Sequence, residues 1–164
     1  MLRLEKASYI TREDGGEANS RKFLWRIINH IQRDAVKKGI LRSESGFGGF
    51  WNNLDDITSA AKHDKLYVAV NPQNHIIGYM VIGRIFDPLH PDSGILPLDI
   101  FEVLPRFRNK GNGQKMVQLL KDAAVSSGYC GIEVESANNS NGFWNKMGFT
   151  WPDDHSGKFI CPIV

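Results

Sequence analysis

Residues whose types and spacing could do chemistry lie between Ile95 and Gly113, above all in one loop. It runs Arg106-Phe107-Arg108-Asn109-Lys110-Gly111-Asn112-Gly113, between an apolar run ending Val103-Leu104-Pro105 and a helical pattern. A strand that turns into a helix presents N–H groups with no intrahelical partner, and the helix dipole favours an anion beside them. Gly111 and Gly113 remove side chains that would hold phosphate oxygens away from those N–H groups. Arg108 and Lys110 add positive charge at the same place. The chemistry on offer is binding of a phosphate or pyrophosphate. Two familiar nucleotide loops are excluded. No Gly-Lys-Ser/Thr follows, as a P-loop requires, and a dinucleotide fingerprint lacks both its third glycine in register and its acidic residue after the next strand. Taken alone, the loop has a plain alternative: a basic, glycine-containing turn that binds nothing.

The elements that must position this loop can be read from apolar periodicity. A first strand is expected over residues 2 to 10, followed by a polar loop from Thr11 to Ser20. Ser20 can cap a helix with Phe23, Leu24, Ile27, Ile28, Ile31 and Ala35 on one face, stopped at Lys37-Lys38-Gly39. A second helix carries Phe47, Phe50, Trp51, Leu54, Ile57 and Ala61. Leu66 to Val70, the turn Asn71-Pro72-Gln73-Asn74 and Ile76 to Phe86 form a hairpin. Asp87 to Gly94 reads as a surface loop, and Ile95 to Leu104 as a strand ended by Pro105. From Gly111, the residues Met116, Leu119, Leu120, Ala123 and Ala124 predict an amphipathic helix that ends at Gly128. Ile132 and Val134 alternate with Glu133 and Glu135 in a short strand. Asn138 to Lys146 is a short helix closed by Gly148, and Lys158 to Val164 a terminal strand. The expected order is β-α-α-β-β-β-α-β-α-β. It describes a single α/β domain over residues 1–164 with a mixed sheet of the α+β kind, not a doubly wound parallel one.

Composition narrows the function classes. The chain has 164 residues, enough for one core without disulfides or metal. Its net charge of +2 gives no argument for a nucleic-acid surface. No apolar run approaches the roughly 18 residues of a membrane span, and the start Met1-Leu2-Arg3-Leu4-Glu5 lacks the order of a signal peptide. Cys130 and Cys161 lie in apolar strand-like stretches and are expected as buried reduced thiols, in keeping with a cytoplasmic setting. His63, His75, His90 and His155 are scattered without ligand spacing, so no metal site is expected. Asn138-Asn139-Ser140 matches a glycosylation acceptor that no secretory signal supports.

The loop and its surroundings resemble the GNAT superfamily of acyl-CoA-dependent N-acetyltransferases. The signature of that family is a strand ending in a Val-x-Pro-like turn, then Arg/Gln-x-x-Gly-x-Gly/Ala opening a helix. Here it is Val103-Leu104-Pro105 followed by Arg108-Asn109-Lys110-Gly111-Asn112-Gly113. A second block lies downstream in Asn138-Asn139-Ser140-Asn141-Gly142-Phe143-Trp144-Asn145-Lys146-Met147-Gly148-Phe149. The hairpin of Tyr67-Val68-Ala69-Val70 and Ile77-Gly78-Tyr79-Met80-Val81 also looks like the central strands of the family. The resemblance covers residues 65 to 150; the N-terminal third matches by element order alone.

It implies an acetyl-CoA-dependent N-acetyltransferase that acts on a primary amine of a small molecule or a protein, as a monomer or homodimer. The other reading is a catalytically silent acyl-CoA-binding or protein-interaction module on the same fold. The pantetheine arm would pair with strand backbone around Phe101 to Val103. The pyrophosphate would lie over the N–H groups of Arg108, Asn109, Lys110, Gly111, Asn112, Gly113 and Gln114. Asn138 or Asn139 would hydrogen-bond the pantetheine, or else simply cap a helix. A carboxylate must take the proton of the amine, and the candidates are Asp99 and Glu102. Asp99, set among Leu98, Ile100 and Phe101, is favoured because burying an acid there is costly. Glu102 points to the other face unless a bulge changes the parity. Many relatives carry a tyrosine acid where this chain has Trp144, and an indole N–H has no suitable pKa. Tyr79, Tyr129 or solvent could supply that proton, and Trp144 is expected to pack beside the cofactor. The acceptor groove would be built from residues 42 to 51, with Asp87 to Gly94 and its His90. Asp55 and Asp56 either attract a cationic amine or form a solvated helix face.

Overall fold

The computed structural model describes residues 1–6, 54–73, 75–83, 94–135, 141–150 and 158–163. Among these residues six strands form one sheet in sequence order. They are β1 (Arg3–Lys6), β2 (Leu66–Val70), β3 (Ile76–Ile82), β4 (Ile95–Val103), β5 (Gly131–Glu135) and β6 (Lys158–Pro162). The described helices are α1 (Leu54–Lys62), α2 (Asn112–Ser126) and α3 (Asn141–Lys146). The mixed α/β fold expected from the pattern is the one observed. Residues 7 to 10 of the first expected strand, the helix from Ser20 and the aromatic start of the second helix lie outside the described residues.

Chain geometry accounts for the order. Asn71 Oδ1 accepts from the N–H groups of Gln73 and His75 at 3.1 and 2.9 Å, which closes the turn between β2 and β3. The β2–β3 and β3–β4 pairs are antiparallel. β4 and β5 are parallel, and a parallel pair needs a crossover, which α2 supplies. β3 is buried along nearly its whole length, as the apolar run Ile76 to Ile82 requires of a strand covered on both faces.

Helix α2 covers the sheet with Met116, Val117, Leu120 and Ala124 buried. The stripe is rotated from the expected one: Leu119 is half-buried and Ala123 exposed. The cause is the seat of Met116. A Cβ on Gly78 would lie 2.7 Å from its Sδ, so the missing side chain on β3 admits the methionine and sets the helix rotation. The expectation of two buried thiols also needs correction. Cys161 is buried, but Cys130 is exposed, because it precedes the first paired residue of β5 at the end of the sheet.

Two irregularities matter for the site. The β3–β4 register pairs Val81 with Ile100 and Ile82 with Leu98, which leaves Asp99 as the extra residue of a bulge. On the other side, β4 pairs with β5 only from Ile95 to Leu98. Both changes occur at the same point. Beyond Leu98 the parallel strands part and leave a V-shaped opening beside residues 99 to 103.

Candidate cofactor groove and catalytic site

An open groove of about 1130 Å³ begins in that opening and ends at the start of α2. Its walls include Asp99, Ile100, Phe101, Glu102 and Val103 of β4 and Val134 and Glu135 of β5. Arg108, Asn109, Gly111, Asn112, Gly113 and Gln114 form the end, and Phe143, Trp144 and Met147 line it from the α3 segment. The described base and cofactor-binding candidates of the sequence thus meet in one place, with one exception. Lys110 is exposed and is not on the groove wall. Asn138 and Asn139 lie outside the described residues, as do residues 42 to 51 and the loop with His90.

The end wall is shaped by backbone. A 3₁₀ turn, Pro105–Phe107, leads out of β4. Asn109 and Gly111 then adopt left-handed φ values of 60° and 78°. Gly111 is the residue before α2, and a Cβ there would meet nothing within 4 Å. The left-handed turn starts α2 at the groove wall, and the first N–H groups of a helix, which have no intrahelical partner, suit phosphate oxygens. Asn112 Nδ2 donates to Phe107 O at 2.9 Å and ties the two ends of the loop together.

The edge of β4 supplies further groups. Leu104 N–H donates to Ile77 O, so by antiparallel alternation the backbone groups of Phe101 and Val103 face away from β3 and toward the opening. The Arg108 side chain is not aimed at the loop. Its Nε donates to Val103 O and its Nη2 to Glu102 Oε1, each at 2.8 Å. Glu102 Oε2 accepts from the Tyr79 hydroxyl at 2.5 Å. The sequence reading missed this chain of three side chains, since nothing in the pattern links a residue of β3 to one of the loop.

The two carboxylates have different surroundings. Asp99 is exposed to the groove, not buried as expected, because the bulge turns it out of the packed part of the strand. It is still flanked closely enough that partial desolvation raises its pKa, and the charges of Asp56 and Glu135 raise it further. Glu102 also reaches the groove wall, so the bulge puts both carboxylates on it.

The aromatic floor is built around Trp144. It is buried and meets the rings of Phe101, Phe143 and Phe149 edge-on, at centroid distances of 5.2, 4.9 and 5.0 Å. Tyr129 is buried before the start of β5, at the far end of that strand from the groove, and burial raises its pKa. Among the described residues, no group of three His, Cys, Asp or Glu is placed to hold a metal ion, and no helix is long and apolar enough to cross a membrane.

The model of the acetyltransferase (GNAT) family matches residues 25–149, a span that contains every described wall of the groove. The chain belongs to the GNAT family. An uncharacterized N-acetyltransferase of Oceanobacillus iheyensis is 39% identical over 98 residues, which are 60% of this chain. The match spans 58% of the length of that relative. Among solved structures, Tetrahymena GCN5 superposes with a TM-score of 0.58 at 15% identity, over 78% of this GNAT chain and 88% of the other. The GNAT family N-acetyltransferase YhbS of Escherichia coli, solved in complex with CoA, gives 0.53 at 14% identity, over 100% and 81%. At such identities these two structures speak for the fold alone.

Proposed function

We propose that this GNAT chain is a single-domain acetyl-CoA-dependent N-acetyltransferase that transfers the acetyl group to a primary amine by direct attack on the thioester. The observation that carries the reading is the parting of β4 from β5 at Leu98, which opens a groove leading to the left-handed turn before α2.

The residues fit coenzyme A at both ends. The N–H groups around Gly111 to Gln114 would hold the pyrophosphate. The outward backbone of Phe101 and Val103 would pair with the amides of the pantetheine arm, with Trp144 packed alongside. The thioester supplies the electrophilic carbonyl. Asp99 is the base in this reading, taking a proton from the amine directly or through water. Its raised pKa brings it nearer to neutrality, where a general base is more effective. Glu102 is less suited to that task, because Arg108 and Tyr79 already occupy its oxygens. Tyr79 is buried with its hydroxyl on Glu102, and Tyr129 is far from the groove. The departing thiolate is therefore left to solvent. Coenzyme A thiolate is a fair leaving group, so turnover does not require an enzyme acid.

The test is a melt with acetyl-CoA, then an amine panel with detection of released thiol. Stabilisation by acetyl-CoA and thiol release with at least one amine are expected, whereas no stabilisation would sink the proposal. Trp144 in place of a tyrosine motivates a second reading, a CoA-binding module without turnover. It loses if transfer occurs in the wild type and drops in Asp99→Asn.

A further inference from the structure

The edge of β4 beyond Leu98 carries a side chain of its own. Val103 O, which faces the opening, accepts from Arg108 Nε, and the same guanidinium is held by Glu102 Oε1. Glu102 is in turn fixed through its other oxygen by Tyr79, a core residue only 2% exposed. The latch is therefore rooted in the sheet, while the Arg108 side chain itself remains 49% exposed. An extended ligand that pairs with β4 as an added strand needs the oxygen that Arg108 now covers.

We infer that Arg108 is a displaceable latch on the cofactor edge: a ligand with an amide-bearing arm must take Val103 O from Nε, and the guanidinium then leaves Glu102. This rests on the reading that the pantetheine arm lies along Phe101 to Val103. Arg108 sits at the start of the phosphate loop, so its freed charge can turn to the pyrophosphate of the same ligand. A nucleotide that lacks the arm has no need of Val103 O and leaves the latch shut. The latch thus discriminates by the arm and not by the phosphates. Its cost appears as a reduced apparent affinity, since a binding-competent state that is only partly populated weakens binding by that fraction.

The experiment is calorimetric titration of wild type, Glu102→Gln and Tyr79→Phe with CoA and with adenosine 3′-phosphate 5′-diphosphate, which has the phosphates without the arm. Glu102→Gln weakens the hold on Arg108, and CoA is expected to bind about threefold to tenfold tighter. The arm-less nucleotide is expected to change by less than about twofold. Tyr79→Phe loosens the anchor of Glu102 and should shift CoA in the same direction by less. Equal gains for both ligands would mean that the lost negative charge acts on the phosphates alone, and would overturn the latch. So would wild-type binding of CoA with no gain in either variant. If the wild type binds neither ligand, the cofactor reading fails and takes the latch with it.

Discussion

A Cβ placed on Gly113 would stand 3.1 Å from the ring edge of Phe143. The glycine loop before α2 and the downstream aromatic block are therefore in direct contact. The glycine serves the packing of α3 against the start of α2, and in the proposed reading the approach of an anion as well. Gly111 differs, with open space around it and a left-handed φ.

The two glycines should fail in different ways. Gly113→Ala should cost about 1 kcal/mol through crowding of Phe143 and should weaken CoA binding by shifting the groove wall. Gly111→Ala meets no clash, yet its backbone conformation should cost about 1–2 kcal/mol. Urea unfolding beside CoA titration separates the cases, and an unchanged stability for Gly111→Ala would count against the left-handed turn.

Asp99→Asn should separate stability from activity. The folded-state pKa of Asp99 is raised, so its ionisation opposes folding, and that penalty grows as pH rises through the folded pKa. The variant should melt above the wild type at neutral pH, with the difference vanishing below the usual carboxylate range. Its transfer rate should fall by about 100-fold or more if it is the base. The acid limb of the wild-type rate profile should lie above the usual carboxylate range. A variant of unchanged rate removes Asp99 from the mechanism.

Trp144 should matter for packing and not for its N–H. Trp144→Ala should cost about 3–5 kcal/mol, because three rings meet the indole edge-on. Trp144→Phe keeps an aromatic ring and should leave turnover within about threefold, since the indole N–H has no proton to give at working pH. A folded Trp144→Phe protein without turnover would contradict that assignment.

Lys121 holds the end of α3. Its Nζ donates to Met147 O at 2.6 Å, so a helix of six residues is tied to α2 by one charged hydrogen bond at its C-terminal end. Lys121→Met should cost about 1–2 kcal/mol in a thermal or urea melt, because the stem is kept and the bond lost. Loss of α3 order should also reach the groove through Phe143 and Trp144.

Much of the described fold was legible because its signals are local. The apolar run Ile76 to Ile82, the turn at Asn71 and the stop at Pro105 each depend on neighbours a few residues away. The rotation of α2 was not legible, since it depends on Met116 meeting Gly78 on another strand. Cys130 was misjudged for a similar reason. Its apolar neighbours suggest burial, but its place just before the first paired residue of β5 decides its exposure.

The sequence by itself determined the basic glycine loop between β4 and α2, the order of the described elements and the two carboxylates on one strand. All of these rest on residue type and spacing along the chain. The tertiary structure alone decided that the bulge at Asp99 coincides with the parting of β4 and β5, and that Arg108 folds back onto Val103 and Glu102. Those outcomes come from contacts between segments far apart in the chain, where the competition of hydrogen-bond partners, not local propensity, sets which group faces the groove.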